Sequence, residues 1–541
     1  MPLLLTAAQM RAVDRFVIDE LGVPGVVLME NAGRGVVDAL VARRPVGQGT
    51  RIVVIAGAGQ NGGDGFVIAR HLANRGARVE VLLAAAKEKI KGDALVYYGA
   101  LERMGAVSIV DLSTETDARV WDVRCLGAEI LVDAIFGTGL RSDVTGVPAA
   151  AVVAMNRAAG FRVAVDLPSG LDADSGAVLG VVCAADLTAT IGTAKLGLWL
   201  DADAPVGDVE IVDLGVNIES LVAGADGRVL ALEGPRACLL DDASVAARLA
   251  PWGPSGHKGT RGHALVIAGS AGKTGAAVLS GTAAMRAGAG LVTLATTASG
   301  QVALDAKVLE LMTASYTDGA DADGETLAKL RAILPRMKAV AMGPGIPTGP
   351  RMAEVVRTLA RELTLPLVLD ADALNLIGTD APAVLASARG PRILTPHPGE
   401  MGRLVGRPTS EVGRDRLGLA RQLAHATGAV VVLKGARTII ASKDGDAFVN
   451  PAADASLGTA GSGDVLTGII VGLLAQGLAP VDAACAGVFV HGNAVGPAKR
   501  HTGTRRLVAG DLPVAAAEVL DRLQARAKGA AGDAFDGKVR G

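Results

Sequence analysis

The chain has 541 residues, with 53 basic and 55 acidic side chains and a formal net charge of −2. Single hydrophobic cores rarely grow past about 250–300 residues, so this length predicts two to four domains. The balanced charge and an aromatic content of only 2% are not those of proteins that bind nucleic acid through basic surfaces or stacking rings. We therefore expect no nucleic-acid partner.

The amino-terminal segment and the cysteines indicate the compartment. Residues 1–16 lack the basic start and the longer apolar run of a signal peptide. The most apolar later stretch, 465–475, is too short to span a bilayer. The four cysteines have no metal-ligand spacing, which is typical of buried thiols in a reducing compartment. We expect a cytoplasmic protein with no membrane partner.

The first part of the chain alternates helical and strand-like patterns. Thr6 and Gln9 form a capping box before the first helix. The predicted helices are 7–20, 25–43, 64–75 and 91–104. The predicted strands are 51–56, 78–83, 130–134 and 162–165. This alternation predicts parallel strands joined by right-handed helical crossovers.

A polar, turn-rich stretch near residue 225 separates this block from a second one. The predicted strands there are 263–268, 291–295, 339–342, 367–369, 392–395 and 429–433, and a long apolar helix begins near Asp464. We therefore predict domains over 1–225 and 226–525. The Ala/Gly/Lys/Asp-rich tail, 526–541, is predicted to be disordered.

A glycine-rich segment follows the first predicted strand. Its glycines at 57, 59 and 62 fit G-x-G-x-x-G, and Glu80, taken as the end of the next strand, has about the spacing of a ribose-binding acid. Alone, this pattern predicts the dinucleotide domain of a dehydrogenase, with backbone N–H groups facing a pyrophosphate. Gln60, Asn61 and Asp64 depart from it, because they add side-chain oxygens to a loop that dehydrogenases leave small.

Two further oxygen-rich loops, 132–141 and 165–172, follow later strands. The loops after parallel strands converge on one crevice, so Asn61, Asp133 and Ser169 could surround a monovalent or divalent cation. Alternatively, these residues serve only as turn and cap residues. Three such loops in one topological position favour the site.

The segments GAGQNGGDG, VDAIFGTG and VDLPSGLD resemble the YjeF N-terminal family. That resemblance implies a Rossmann-like epimerase of hydrated NADH and NADPH, with Asp166 contacting the substrate and K⁺ held by Asn61, Asp133 and Ser169. Asp166 is our candidate for the acid–base group of this reaction. The family usually has Asn where this chain has Gln60. The implied substrate-binding residues are Gln60, Asn61, Gly62, Gly63, Asp64, Gly137, Thr138, Gly139, Leu140, Arg141, Ser142, Asp143 and Asp166.

The second block contains a segment that looks like a Walker phosphate-binding motif but does not match the full pattern. Ala271-Gly-Lys-Thr274 follows a strand, but the Walker pattern needs a glycine at Ile267. We therefore interpret Lys273 as a loop lysine.

A stronger pattern lies nearer the carboxyl terminus. Gly461-Ser-Gly-Asp464 precedes the long apolar helix, whose N–H groups can bind an oxyanion, and Asp464 can deprotonate a hydroxyl. Upstream, 434–438 offers cations and donors to phosphates. Segments 343–345, 370–375 and 395–400 also follow strands.

These motifs resemble the ribokinase-like superfamily and, within it, the YjeF C-terminal family of nucleotide-dependent dehydratases. The implied dehydratase site has Asp464 as catalytic base, with ADP as co-substrate and Mg²⁺. This chain has Ala460 where a glycine is frequent. The implied hydrate-binding residues are Ala276, Gly345, His397 and Asp464. The implied nucleotide-binding residues are Lys434, Gly435, Ala436, Arg437, Thr438 and Gly463.

Both resemblances predict an α/β protein with two three-layer domains and mainly parallel sheets. The first domain would epimerise the R and S hydrates, and the second would dehydrate the S hydrate with ADP, giving NAD(P)H, AMP and phosphate. One alternative is a ribokinase-type small-molecule kinase fused to a dinucleotide-sensing domain, and another is a catalytically silent binding protein. Enzymes of this size often assemble symmetrically, so we expect a homo-oligomer.

Overall fold

The structure is a computed structural model that describes residues 1–223, 230–249, 252, 256–317 and 323–536. The chain divides into two compact units, Pro2–Gly234 and Pro235–Gly541, which we call the N-terminal and C-terminal units. The division falls about ten residues after the predicted boundary. None of the helices in these ranges is both long and apolar enough to cross a membrane.

The N-terminal unit contains strands and helices that alternate along most of its length. Its strands are β1 (Leu4–Leu5), β2 (Arg51–Ala56), β3 (Arg78–Leu83), β4 (Ser108–Asp111), β5 (Ile130–Ala134), β6 (Phe161–Val165), β7 (Leu187–Ile191), β8 (Ala194–Lys195) and β9 (Asp208–Val212). Its α-helices are α1 (Ala7–Asp19), α2 (Gly25–Arg43), α3 (Gln60–Asn74), α4 (Gly92–Met104), α5 (Ala118–Cys125), α6 (Gly146–Arg157), α7 (Gly197–Leu200) and α8 (Ile218–Ala223).

Seven of these strands form one sheet in the order β4-β3-β2-β5-β6-β7-β9, and every pairing in it is parallel. Successive side chains of a strand point to opposite faces. Val54 therefore packs with α2 and α3, whereas Ile55 packs with α5 and α6 on the other face. The sheet is covered on both faces, which confirms the predicted three-layer arrangement.

The C-terminal unit also alternates strands and helices. Its strands are β10 (Ala237–Leu239), β11 (His263–Ile267), β12 (Leu291–Thr297), β13 (Met312–Tyr316), β14 (Ala339–Met342), β15 (Leu367–Leu369), β16 (Arg392–Leu394), β17 (Val430–Leu433), β18 (Ile439–Ala441) and β19 (Ala447–Val449). Its α-helices are α9 (Asp242–Ala246), α10 (Thr274–Arg286), α11 (Ala298–Asp305), α12 (Asp323–Ile333), α13 (Pro350–Glu362), α14 (Asp372–Ile377), α15 (Ala381–Leu385), α16 (Pro398–Val405), α17 (Thr409–Arg414), α18 (Arg416–Thr427), α19 (Ser462–Ala475), α20 (Pro480–Asn493), α21 (Val495–Thr502) and α22 (Leu512–Asp536).

The ten strands form one sheet in the order β10-β19-β18-β17-β16-β15-β14-β11-β12-β13, in which β18 alone runs antiparallel to its neighbours. Helices α10, α19, α20 and α22 pack on one face, where they bury Val266 and Val432. The final helix runs to Asp536, so the tail predicted to be disordered is helical over 526–536. Residues 537–541 lie outside the described residues.

Gly468 lets α19 approach α10 closely. A Cβ atom there would overlap the Ser280 carbonyl oxygen and lie 2.7 Å from the Cβ of Ala283. We expect Gly468→Ala to destabilise the C-terminal unit by about 1–3 kcal/mol, because a packed interior tolerates added volume poorly. Thermal unfolding measures this as a fall in Tm. Gly413→Ala is the matched control, since its Cβ meets nothing within 4 Å in helix α17, and a similar fall in that variant would contradict the packing argument.

Candidate active sites

The first candidate site lies at the carboxyl edge of the N-terminal sheet. Neighbouring strands β2, β5 and β6 all end there, and the chain leaves β2 and β5 in the loops singled out in the sequence. The strand order also reverses between β2 and β5. Ligands of open α/β sheets bind at such a reversal.

The glycine segment after β2 is a tight turn into a helix. A Cβ atom at Gly62 would overlap the carbonyl oxygen of Gly57, and a Cβ atom at Gly57 would overlap the carbonyl oxygen of Ile135. A Cβ atom at Gly59 would meet no other atom within 4 Å. Helix α3 begins at Gln60, so the residues predicted as a substrate loop, 60–64, form its first turns. The helix N-terminus therefore faces the crevice, as the anion-binding argument requires.

Glu80 does not lie at this edge, contrary to the expectation. It is opposite Val53 in the sheet, and β3 continues for three more residues to Leu83, about 10 Å further along. Its carboxylate pairs with Arg124 at 3.1 Å. Both side chains line a groove of about 940 Å³ near the start of β2 and β3, away from the candidate site. The ribose role of a dehydrogenase therefore does not apply to Glu80.

Asp133 and Ser169 are brought together with no exposure to solvent. The Ser169 hydroxyl donates to Asp133 Oδ1 at 2.6 Å, and the Ser169 N–H donates to Oδ2 at 2.7 Å. The Phe136 N–H donates to the Ser169 hydroxyl at 2.9 Å. Burial raises the pKa of Asp133, although these hydrogen bonds oppose the rise. Within the described residues, no ion pair joins this carboxylate to a lysine, an arginine or a histidine.

Gly137 lies between Asn61 and Asp166. A Cβ on Gly137 would lie 3.3 Å from Asn61 Oδ1 and 3.0 Å from Asp166 Oδ2. The Asn61 Nδ2 atom is buried and has no hydrogen-bond partner among the described residues. The structure thus joins the loops after β2, β5 and β6. The farther loop residues Arg141, Ser142 and Asp143 are exposed.

Asp166 has a left-handed backbone conformation (φ +67°), which is unusual for a residue other than glycine. Its Oδ1 atom accepts from the Ile191 N–H at 3.2 Å and lies 2.5 Å from the Lys195 ammonium nitrogen. Lys195 is 1% exposed, and its role was missed in the sequence. One oxygen of Asp166 is therefore held by donors, while Oδ2 lies beside Gly137.

The second candidate site lies at the carboxyl edge of the C-terminal sheet. Helix α19 begins at Ser462 after Gly461, which has φ +88°. The first N–H groups of a helix have no partner within it, so this end suits a phosphate. Asp464 lies in that first turn. Burial, reinforced by the Asp370 carboxylate, raises the pKa of Asp464 to about 7.

A buried ion pair lies beside Asp464. The Lys434 ammonium is 2.6 Å from Asp370 Oδ1 and 3.8 Å from Glu400 Oε2, and the Thr467 hydroxyl donates to Asp370 Oδ2 at 2.7 Å. Burial opposes the charge of Lys434, but the two carboxylates hold its pKa above the usual value. A Cβ at Gly463 would lie 3.3 Å from the same ammonium. Lys434 is thus placed at the helix start.

His397 caps the start of helix α16. The Nδ1 atom of its ring accepts from the Gly399 N–H at 3.0 Å. The backbone N–H of His397 donates to Glu400 Oε2 at 2.8 Å. The Nε2 atom lies 3.4 Å from Glu400 Oε1, and about half of the side chain remains exposed to solvent.

Lys273, as predicted, is a loop lysine. It forms an ion pair with Asp372 at 3.3 Å. A Cβ atom added to Gly345 would lie 3.0 Å from the Cβ of Lys273. Ala276 is also beside Gly345, at 3.4 Å by the same measure. The structure therefore groups two of the predicted hydrate-binding residues.

Backbone strain is concentrated in the two sites. Within the described ranges, the non-glycine residues with positive φ are Asp166, Ala371 and Arg437. Ala371 lies between Asp370 and Asp372, and Arg437 lies in the predicted nucleotide segment. Strained backbone of this kind clusters at functional sites because surrounding structure must enforce it.

His491 is a residue that the sequence reasoning missed. Its Nε2 atom is 3.0 Å from both the hydroxyl and the carbonyl oxygen of Ser462. Burial lowers the pKa of His491 to about 4, so the ring is neutral at pH 7. His491 therefore contacts the first residue of helix α19.

Comparisons with known proteins identify the family of the chain. A family model described as YjeF-related protein N-terminus matches residues 25–197, and one described as NAD(P)H-hydrate dehydratase matches residues 264–513. The bifunctional NAD(P)H-hydrate repair enzyme of Moorella thermoacetica is 42% identical over 94% of this chain and 95% of its own length. The chain belongs to the bifunctional NAD(P)H-hydrate repair enzyme family.

Two further proteins are similar to the whole chain or to part of it. The Escherichia coli repair enzyme is 33% identical over 94% of this chain and 92% of its own length. A solved ADP/ATP-dependent NAD(P)H-hydrate dehydratase from Bacillus subtilis, co-crystallized with ATP/Mg²⁺, is 32% identical; the match covers 54% of this chain and 100% of that one, with a TM-score of 0.46. Family membership confirms the predicted pairing of a Rossmann-like and a ribokinase-like domain.

Proposed function

We propose that the chain repairs hydrated NADH and NADPH in two steps. The N-terminal unit interconverts the R and S hydrates, and the C-terminal unit converts the S hydrate to NAD(P)H at the expense of a nucleotide. The observation that carries this proposal is a pair of aspartates, the buried Asp166 and the partly buried Asp464, each at the carboxyl edge of a separate, mainly parallel sheet. The family membership of the full chain supports the same pairing.

The epimerisation requires reversible loss of a hydroxyl group. The hydrated nicotinamide carries this hydroxyl at C6, beside the ring nitrogen, whose lone pair can expel it and leave an iminium. Water then returns to either face. Asp166 suits the proton transfers, because Lys195 and the Ile191 N–H hold Oδ1 and leave Oδ2 beside the predicted substrate segment at Gly137.

We assign K⁺ to the oxygen cluster of Asn61, Asp133 and Ser169. Asp133 fits a bound cation because it is a fully buried carboxylate that no cationic side chain pairs with in the described ranges. Burying an unpaired charge is costly, so a cation would stabilise this arrangement. The ion would supply positive charge that orders the three loops around the substrate.

This assignment predicts a dependence of the first activity on K⁺. Replacing K⁺ by tetramethylammonium is expected to slow R/S interconversion at least about 10-fold, since the ordered loops supply catalytic positioning. Interconversion is followed by chromatography of the two hydrates without nucleotide. Ser169→Ala should be slow in both salts. An unchanged wild-type rate in tetramethylammonium would contradict the K⁺ assignment.

The dehydration requires permanent loss of the hydroxyl, and hydroxide is a poor leaving group. Transfer of a phosphoryl group from the nucleotide to the C6 oxygen makes phosphate the leaving group instead. Asp464 is placed to accept the hydroxyl proton, and the N–H groups at the start of α19 are placed to stabilise phosphoryl charge. Elimination then gives NAD(P)H and phosphate.

We propose ADP as the phosphoryl donor and Mg²⁺ as its companion. The described residues contain no cluster of three or more ligating His, Cys, Asp or Glu side chains, so a magnesium ion would be held mainly by the nucleotide phosphates. Asp372, which is partly exposed beside Lys273, is the carboxylate we assign to it. The ion would neutralise phosphate charge. The proposed nucleotide contacts are Lys434, Gly435, Ala436, Arg437, Thr438 and Gly463.

The decisive experiment follows recovery of the dihydronicotinamide near-UV absorbance from a mixture of both hydrates, with K⁺, Mg²⁺ and either ADP or ATP. We expect complete recovery with ADP. Recovery with ATP alone would keep the repair function and overturn the donor. A stable phosphorylated product without NAD(P)H would instead support the small-molecule kinase. The cytoplasmic location and the homo-oligomer stay predictions from sequence.

A further inference from the structure

The first helix of the chain joins the N-terminal site although the match to the YjeF-related N-terminus begins only at residue 25. Strand β1 pairs in parallel with β8, with Leu5 opposite Lys195. The Thr193 hydroxyl donates to the Leu3 carbonyl at 2.9 Å, and the Leu196 N–H donates to the Leu5 carbonyl at 3.1 Å. The segment that holds Lys195 is therefore fastened to the start of α1.

Helix α1 places Asp14 in the wall of a pocket. This pocket has a volume of about 100 Å³, and its other polar walls come from Gln60, Asp64 and Asp93. Ile191, whose N–H holds Asp166, also lines it. Asp14 therefore faces the same space as the residues proposed to bind the hydrate.

Carboxyl groups outnumber cations around Asp14. Asp64 on α3 and Asp93 at the start of α4 line the pocket with Asp14. Asp166 after β6 and Lys195 on β8 do not line it, but both are near enough to act on the charge of Asp14. Burial, with the nearby carboxylates, raises the pKa of Asp64 well above its usual value. Burial likewise raises the pKa of Asp14 to about 6, which Lys195 opposes and Asp166 reinforces. Both shifts favour the protonated forms of Asp14 and Asp64.

We propose that Asp14 is a second acid–base residue of the epimerase, acting with Asp166 on opposite proton transfers. The inference rests on the proposed epimerase function. Asp166, paired with Lys195, suits the base, and Asp14, which forms no ion pair with any other described residue, suits the acid.

In the proposed reaction one proton leaves Asp14 and one proton is taken up by Asp166. The protonated Asp14 carboxyl gives its proton to the C6 hydroxyl, the C6–O bond breaks, and water leaves while the ring nitrogen lone pair forms the iminium. A water molecule then adds to the other face of C6 and gives a proton to Asp166. The reverse reaction runs from protonated Asp166 to ionised Asp14. Residues that act on both faces allow the oxygen to return inverted.

The test compares Asp14→Asn with Asp19→Asn in the full chain. Both residues lie on α1, but Asp19 is exposed and outside the pocket. R/S interconversion is measured without nucleotide. We expect kcat of Asp14→Asn to fall about 10²-fold with KM changed little, because general acid–base catalysis contributes about this much. Asp19→Asn should match the wild type. A kcat for Asp14→Asn within twofold of wild type would overturn the inference.

The pH profile separates proton transfer from a structural role. Because the acid form of Asp14 is required, wild-type kcat should fall as the pH rises through the Asp14 pKa of about 6. The kcat of Asp14→Asn should not show this fall. Asp14→Glu should restore the fall and part of the rate. If Glu is no better than Asn, Asp14 is structural and the proposal fails. If the wild type itself does not interconvert the hydrates, the proposed function fails instead.

Discussion

Replacing Asp464 with Asn is expected to lower the rate of NAD(P)H formation from the S hydrate by roughly 10³–10⁴-fold, at the upper end of general-base effects. Asn keeps the size and polarity of the side chain at the start of α19 but cannot accept the hydroxyl proton. The N–H groups of the helix start remain, so nucleotide affinity should change by less than about threefold. Initial rates and nucleotide titration measure the two effects separately.

The raised pKa of Asp464 gives this prediction a pH dependence. A general base works only when ionised, so wild-type kcat should rise with pH, pass its midpoint near 7 and level off above it. The Asn variant should show no such rise in its residual activity. A wild-type rate that falls between pH 6 and 8 would contradict the assignment of Asp464 as base.

Stability provides the control for the same variant. Because the folded-state pKa of Asp464 lies above its usual value, its contribution to stability is full at low pH and is lost as the pH rises through about 7. Asn does not ionise, so Asp464→Asn should unfold at the same or a higher temperature than wild type at pH 8. The matched variant Asp521→Asn, at an exposed position of α22, should keep full activity.

The main strands of both sheets could be predicted because burial on both faces leaves a continuous apolar run. Strands β2, β5 and β14 begin and end where the sequence placed them. Strand β7 was missed, since its Thr188 and Thr190 are buried polar residues that satisfy hydrogen bonds inside the sheet. The short strands β18 and β19 were missed because they follow β17 with no helix between them and pair antiparallel, outside the strand–helix alternation that the sequence analysis followed.

The site residues on loops after strands could be predicted for a topological reason. Parallel strands bring their carboxyl ends to one edge, so Asp133 and Ser169 were expected to meet, and they do. Lys195 and Asp14 could not be placed this way, because their positions near the site depend on the pairing of β1 with β8, which are far apart in the sequence. The one available signal was a single lysine within the apolar stretch 187–200.

The second large effect is expected from Asp166→Asn, which should stop NAD(P)H recovery at the S fraction of a hydrate mixture. The Asn replacement suits the left-handed backbone (φ +67°), which Asn tolerates better than most residues, and it keeps an Oδ1 acceptor for the Ile191 N–H. Proton transfer at Oδ2 is lost, because an amide does not ionise.

The expected size of that effect is roughly 10³–10⁴-fold in kcat for consumption of the R hydrate, with the S hydrate consumed at the wild-type rate. The Asp19→Asn variant should recover all of the mixture. The two hydrates are separated by chromatography while ADP, Mg²⁺ and K⁺ are held constant, and the rate without protein is subtracted. Because the two aspartates belong to separate sheets, the loss should fall on one epimer alone. Equal loss with both hydrates would mean that Asp166 supports folding of the chain, and undiminished R consumption would remove it from the reaction.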